Sequence, residues 1–287
     1  MNISRPRKWR RRTAPTRSPR FPPRANRRFR TPAMVNLPKP DSPSLRLNRF
    51  LADAGLGSRR GVENLVRQGR VVVNGKATSE LGLRIDPDRD EVRVDGQVVT
   101  AAASGLVYAF HKPLGVVCTF RGQGGQPTLA PYKRQANLPG PMMPIGRLDA
   151  DSTGLLLWTD DGNLNHALCR PESGIWKTYV VTLDRQPSAA EVRRFTGGRI
   201  SLDGWPCLPC GLEPAPGGRE AWKVRIHEGR KRQIRRMFRA IGNRVVTLHR
   251  VEFGPISLGG LAGESFRALD KAEIAALRQA VAAPGGK

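Results

Sequence analysis

The stretch Pro144-Ile-Gly146-Arg147-Leu148-Asp149-Ala-Asp151-Ser152-Thr-Gly154-Leu155-Leu-Leu-Trp158-Thr-Asp160-Asp161-Gly162 carries most of what can be read from this chain. Gly146 and Gly154 bracket a loop that holds Asp149 and Asp151. The apolar run Leu155 to Trp158 predicts a buried strand. Asp160-Asp161-Gly162 then predicts a turn into a helix, whose N-terminus suits acidic residues. A loop carboxylate anchored by a rigid strand is well placed to act as nucleophile or base. Loop Asp and Ser residues also bond their own backbone. Two nearby carboxylates would equally suit a glycosidase pair or a divalent cation. Spacing leaves these readings open.

Around this stretch, residues 106–281 mix strands and helices. Strands are expected at 106–110, 114–119, 155–159, 177–183, 222–227 and 245–252, and helices at 163–168, 188–196, 233–241 and 270–281. The order is not a strict alternation, so the expected class is α+β with a mainly antiparallel mixed sheet flanked by helices. In 177–183, Tyr179, Val181 and Leu183 share a face; Tyr179 is either a half-buried strand tyrosine or a flat surface and phenol for a flipped base. In 228–241, Ile234, Met237, Phe238 and Ile241 form an apolar helical stripe beside Arg232, Arg235, Arg236 and Arg239. So many guanidiniums with few acids fit phosphate contacts better than a merely solvated face. One arginine turned inward would hold a carboxylate ionised.

Cys207-Leu-Pro-Cys210 has metal-ligand spacing, but a closed zinc site needs four ligands. His166 and Cys169 would complete it only if the fold brought them near, and the expectation is no metal. There is no Walker loop, dinucleotide fingerprint or His-Glu-x-x-His motif, and no cofactor is expected. Four cysteines in 287 residues are no disulfide scaffold, which points to a reducing, cytoplasmic setting.

Upstream lies a compact module at 44–99. Leu47, Phe50, Leu51 and Ala54 recur at helical spacing; Ser58 caps a second helix burying Val62, Leu65 and Val66. Val71-Val72-Val73-Asn74-Gly75-Lys76 reads as a strand entering a tight turn, and 91–99 as a second strand. Arg46, Arg49, Arg59, Arg60, Arg67 and Lys76 make its outer face basic. Residues 100–105 form a linker, and 282–287 should fray.

Charge points to the partner. Forty-nine basic against twenty-four acidic residues give +25 and a pI near 11.4. That field attracts polyanions in a salt-sensitive way. No apolar run approaches the roughly 18 residues that span a bilayer, so the expectation is nucleic acid and no membrane. Residues 1–43 hold thirteen Lys or Arg, one acid and nine Pro, hence +12, and should be disordered. They read as an RNA-binding arm carrying Trp9, Phe21 and Phe29, as a dispensable solvated tail, or as sequence upstream of a start at Met34.

Taken together, these motifs resemble the RsuA/RluB family of ribosomal RNA pseudouridine synthases. Gly146-Arg147-Leu148-Asp149 with Ser152-Thr153-Gly154-Leu155 resembles its active-site signature, and Lys112-Pro113-Leu114-Gly115 its opening strand. Lys177-Thr178-Tyr179 is similar to its tyrosine motif, and Glu228-Gly229-Arg230 with Gln233-Ile234-Arg235-Arg236-Met237 to its basic helix. The module at 44–92 resembles the S4-type RNA-binding domain that precedes the catalytic domain in many members. One departure is 121–128, glycine-rich where relatives carry an acid and an arginine; the Arg/Pro arm before Ser44 is another.

The resemblance implies roles. Asp149 would be the essential carboxylate, Tyr179 would pack on the flipped uracil and help remove the C5 proton, and Arg235 would pair with Asp149. Arg147 and Arg230 would meet phosphate or support the loop, and Lys231, Arg232, Arg236 and Arg239 would join them in binding RNA. Asp151 would shape the loop. The implied reaction breaks N1–C1′, rotates the base and joins C5 to C1′, with the carboxylate either trapping C1′ or taking the C2′ proton. The implied partner is ribosomal RNA or a ribosome assembly intermediate, bound by a monomer. The segment Leu248 to Gly254 resembles large-subunit enzymes of the family more than small-subunit ones. Two other classes fit parts of the sequence: a non-catalytic ribosome-assembly factor, and a glycosidic-bond hydrolase using Asp149 with Asp151.

Overall fold

The computed structural model describes residues 44–100, 105–122, 124–138 and 141–282. The expectations for 1–43, for 283–287 and for most of the linker lie outside the described residues.

The N-terminal module is two helices and two hairpins. Helix α1 (Leu47–Asp53) and α2 (Arg59–Arg67) bury Leu47, Phe50, Leu51, Val62 and Val66 together. Ser58 caps α2 by accepting from the Gly61 amide at 3.0 Å. Strands β1 (Val71–Val73), β2 (Lys76–Thr78), β3 (Val92–Val94) and β4 (Gln97–Val99) form an antiparallel sheet in the order β2–β1–β3–β4. The expected single strand at 91–99 is therefore two strands. Asp95 and Gly96 take φ of 52° and 81°, the two positive values that a tight hairpin turn requires.

The larger part is a nine-stranded sheet with helices on both faces. Its labelled strands are β5 (Val107–Lys112), β6 (Thr153–Thr159), β7 (Lys177–Leu183), β8 (Gly211–Pro214), β9 (Ala221–Ile226), β10 (Val245–Phe253) and β11 (Phe266–Ala268). They run in the order β8–β9–β7–β10–β6–β5–β11, with short strands Met143–Pro144 on β6 and Ile256–Ser257 on β10. Every pairing is antiparallel except β10 with β6, where His249 faces Thr153 and Arg250 faces Gly154.

Helices α3 (Ala130–Gln135), α4 (Gly162–Cys169), α5 (Ala189–Thr196), α6 (Gln233–Ala240) and α7 (Lys271–Ala282) complete it. Leu156 and Trp158 of β6 pack with Phe195 of α5 and Ile234, Met237 and Phe238 of α6. Leu155 and Leu157 pack on the opposite face with Leu164 and Leu168 of α4 and Leu277 of α7. A central strand covered on both faces reads as an unbroken apolar run, which explains Leu155 to Trp158. Asp161 caps α4, accepting from the Asn163 and Leu164 amides at 2.9 and 3.0 Å.

Three differences from the sequence expectation stand out. Residues 114–119 form no strand: the Thr119 amide turns back to the Val117 carbonyl and only an isolated Val117–Thr128 bridge forms. Helix α7 runs through Ala282, so ordered structure continues to the residue at which fraying was expected. Elements α3, β8 and β11 were not expected, being too short for periodicity to reveal.

The parallel contact dictates Gly154. Its φ is +101°, and a Cβ there would lie 2.2 Å from the Arg250 carbonyl oxygen and 2.7 Å from the Arg250 nitrogen. Gly154→Ala should therefore destabilise the fold by on the order of 3 kcal/mol or more, combining overpacking with backbone strain. That corresponds to a fall in Tm of roughly 6–12 °C, checked by calorimetry. An unchanged Tm would mean that the strands do not approach this closely.

Candidate active site

The loop 146–152 is held from several sides. The Ile145 amide donates to the Leu157 carbonyl at 2.7 Å, and the Ser152 amide to the Asp149 carbonyl at 3.1 Å. Leu148 is buried in the core facing α6, and its amide contacts Cys118 Sγ at 3.3 Å. The Lys112-Pro113-Leu114-Gly115 segment clamps the other side. The Gly115 amide donates to the Ala150 carbonyl at 2.8 Å. Lys112, fully buried, donates through Nζ to the carbonyls of Ser152 at 2.8 Å and Pro113 at 2.9 Å. Burial lowers the Lys112 pKa, and the charges of Cys118, Asp149 and Asp151 oppose that shift.

The loop forms one wall of a cleft of about 550 Å³. Asp149 and Tyr179 both line it, with Ile226, Ile234, Leu248 and Phe253 supplying apolar surface. Tyr179 is buried, set by its pairings with Val224 on β9 and Arg250 on β10. The Asp149 carboxylate is partly exposed toward the cleft.

The expected Arg235–Asp149 pair is not formed. The cation beside Asp149 is Arg232, whose Nη1 is 3.8 Å from Asp149 Oδ2. Arg232 is at the same time forked onto Asp151, at 3.0 and 2.7 Å. Arg235 is mostly buried: Nη2 donates to the Asp151 carbonyl at 2.6 Å, Nη1 to the Val245 carbonyl at 3.0 Å, and Nε lies 3.3 Å from Asp151 Oδ2. The reason is positional. Arg232 caps α6 in the left-handed conformation, φ 51°, and points across the cleft, while Arg235 is one turn further in and meets the back of the loop. The Arg232 hydrogen bonds hold the Asp151 carboxyl below its ordinary value, with the charge of Arg235 adding to the effect. Asp151 is thereby committed to two arginines.

The remaining basic residues divide. Arg230 lines the cleft, but its guanidinium donates to the carbonyls of Leu202, Trp205 and Pro206 at 3.2, 2.9 and 2.6 Å and pairs with Glu228 at 3.2 Å. It fastens the short hairpin 201–206 and makes no hydrogen bond to the Asp149 loop, which it was expected to support if not to meet phosphate. Arg236 is forked onto Asp203 at 2.7 and 2.8 Å, and Arg49 bonds Asp53 at 3.3 Å. Arg46, Arg59, Arg60, Arg67, Lys76, Arg147, Lys231 and Arg239 are exposed; Arg67 approaches Glu63 only at 3.9 Å. Among the described residues no three His, Cys, Asp or Glu side chains gather as a metal site, and no helix is long and apolar enough to cross a membrane.

Lys177 and Arg250 also line the cleft, although the sequence reading, which quoted them only within longer segments, gave neither a role. A signal existed for each. Lys177 lies two residues before Tyr179 and so shares its strand face. Arg250 falls two residues after Leu248, at an inward phase of β10, and is 2% exposed.

Comparison with known proteins identifies the family. Residues 107–240 match the family model described as RNA pseudouridylate synthase, and residues 45–90 match the S4 domain. An uncharacterized RNA pseudouridine synthase of Mycobacterium tuberculosis is 38% identical over 240 residues, 83% of this chain and 94% of that protein. The ribosomal large subunit pseudouridine synthase B of Bacillus subtilis is 35% identical over 237 residues, 81% of this chain and 95% of that protein. A crystal structure of a pseudouridylate synthase superposes with TM-score 0.57 at 32% identity, covering 82% of this chain and all of that one. The chain is an S4-domain protein of the RNA pseudouridylate synthase family, and Asp149 and Tyr179 both line its cleft.

Proposed function

We propose that this enzyme converts a uridine of large-subunit ribosomal RNA into pseudouridine, with Asp149 as the reacting carboxylate. The observation that carries the reading is the convergence of Asp149 and Tyr179 on one cleft that also holds buried cations and apolar walls. The B-type relatives of Bacillus subtilis and Pseudomonas aeruginosa, 35% and 36% identical, support the choice of large-subunit RNA.

In this reading the target uridine leaves its helix to enter the cleft, which favours loops and helix ends. Its uracil packs on Tyr179, whose phenol takes part in removing the C5 proton. The Asp149 carboxylate approaches the ribose and acts at C1′ or on the C2′ proton. Either role needs it ionised, and the Arg232 guanidinium supplies the nearby positive charge. Arg235 acts on the loop through the Asp151 backbone and is a positioning residue. The hydrolase alternative needs a second free acid, and Asp151 is occupied by Arg232 and Arg235. Arg46, Arg59, Arg60, Arg67 and Lys76 of the S4 module, with Arg147, Lys231 and Arg239, supply phosphate contacts; Arg49, Arg230 and Arg236 are engaged internally and contribute less.

The test is tritium release from large-subunit RNA transcripts labelled at uridine C5. Wild type should release tritium without freeing uracil, and Asp149→Asn should lose on the order of 10⁴-fold or more of the rate. A folded Asp149→Asn variant with full activity, or release of free uracil, would overturn the assignment.

Asp151→Asn should cost activity far less, about tenfold, because the loop loses a brace and keeps its reacting group. The Asp151 carboxyl lies below its ordinary pKa of 3.8, so its contribution to stability is full above 3.8 and is lost as pH falls through the lowered value. Acid unfolding of Asp151→Asn should accordingly show a shallower fall below pH 4 than wild type. The same slope in both would mean that the pair adds nothing.

For the S4 module, Arg59→Ala with Arg60→Ala should weaken binding across RNA sequences and reduce the log–log salt slope by ~1–2. Filter binding over a salt series reads this directly. An unchanged slope would remove both residues from the RNA interface.

A further inference from the structure

The cleft holds positive charge that the roles above do not use. Lys177 and Tyr179 share a face of β7, and Arg250 pairs with Tyr179 across the sheet. The two cations meet over one ring: Lys177 Nζ lies 5.8 Å, and the Arg250 guanidinium carbon 5.3 Å, from the centre of Phe253. Arg250 is 2% exposed; its Nε donates to the Leu155 carbonyl at 2.7 Å, while its buried Nη2 has no partner among the described residues. Lys177 Nζ donates to the Ile175 carbonyl at 2.8 Å. No carboxylate lies within salt-bridge distance of either cation among the described residues.

The groups facing Lys177 are Arg250 of β10, the Cys169 thiol of α4 and Glu228 after β9. Glu228 is already bonded by Arg230, Gln233 and the Leu208 amide. Burial, and then repulsion from Arg250, lower the Lys177 pKa to about 8. Two like charges in a partly dry wall are costly unless an anion joins them. The cavity itself suggests which anion. A phosphodiester carries a nucleoside on either side, which holds it to the rim, whereas a single flipped base reaches a residue as deep as Arg250.

We propose that Lys177 and Arg250 form the subsite for the uracil anion, holding a ring carbonyl oxygen while the base is detached from the ribose. The inference rests on the isomerase reading above. When the C1′–N1 bond breaks, its electron pair goes to N1, and the negative charge spreads over the ring onto O2 and O4. Lys177 Nζ and Arg250 Nη2 donate to that oxygen and keep their protons throughout. When C5 bonds to C1′, the ring's electron pair makes the new bond and the ring is neutral; the C5 proton then leaves and N1 takes up a proton, so the product ring is neutral as well. Preorganised donors in a desolvated site stabilise charge that develops only in the reaction. The subsite therefore acts on the rate of the bond exchange more than on RNA affinity.

The experiment compares wild type, Lys177→Met and Lys177→Arg in single turnover on large-subunit RNA transcripts. One transcript contains uridine and a second 5-fluorouridine, whose fluorine stabilises the ring anion by itself. Tritium release reads the first; chromatographic loss of 5-fluorouridine from digested RNA reads the second. Lys177→Met should lose about 10²-fold on uridine RNA, lose less than about tenfold on the fluorinated RNA, and bind both with a Kd within about twofold of wild type. Lys177→Arg should recover most of the rate. The wild-type rate should fall as pH rises past about 8, because the ammonium is then lost, and Lys177→Arg should keep its rate there. Equal losses on the two RNAs would overturn the subsite. A loss confined to Kd with a smaller salt slope would overturn it in favour of a phosphate contact. Failure of Lys177→Arg to recover, or of wild type to lose rate above pH 8, also counts against it. Wild type inactive on both RNAs would remove the isomerase reading itself, a result distinct from a defect limited to the variants.

Discussion

The backbone contact between Gly154 and Arg250 is the constraint on which the site depends. It is the one parallel pairing in an otherwise antiparallel sheet, and only a residue without a Cβ fits there. The contact brings the start of β6, and with it the Asp149 loop, alongside β10. Because β10 also pairs with β7, Tyr179 then stands one strand away from the end of that loop. Arg250 locks the arrangement by donating to the Leu155 carbonyl. A side chain that pins the sheet is therefore also a wall of the cleft.

Charge is distributed unevenly around this frame. Acids near the cleft are mostly consumed by structure: Asp151 by Arg232 and Arg235, Glu228 by Arg230 and Gln233, Asp203 by Arg236. Asp149 keeps a longer, 3.8 Å contact to Arg232 and stays partly exposed. A carboxylate beside a cation but not locked to it keeps its access to a substrate. The deep cations have the opposite character. Lys112 is satisfied by carbonyls and braces the loop, whereas Lys177 and Arg250 have bonding capacity left over. Desolvated groups with unused donors are costly in a protein interior, which is why such groups gather where a ligand completes them.

The fold was legible where periodicity was strong. The run Leu155 to Trp158 announced a strand buried on both faces, and Ile234, Met237, Phe238 and Ile241 announced the helix against it. The long strands at 177–183 and 245–252 stood out for the same reason. The segment 114–119 misled: Val116, Val117 and Cys118 look like a strand, yet they serve as a turn bracing the Asp149 loop. Asp95-Gly96 marked a hairpin inside what read as one strand, its turn preference outweighing the alternation around it.

For the site, the sequence by itself determined the chemistry available. It supplied Asp149 on a glycine-bracketed loop, Tyr179 on a strand face and a helix rich in guanidiniums, because residue type and local period are properties of neighbours along the chain. Only the tertiary structure decided the pairing. Arg232, not Arg235, faces Asp149; Arg230 serves a distant hairpin; and Lys177 with Arg250 joins the cleft. These contacts join residues up to about eighty positions apart, as in Asp151 with Arg232 and Arg235. Which of several similar arginines reaches a given carboxylate depends on helix phase and strand register to within a single turn. No composition or spacing encodes that distance; it is set when the sheet closes at Gly154.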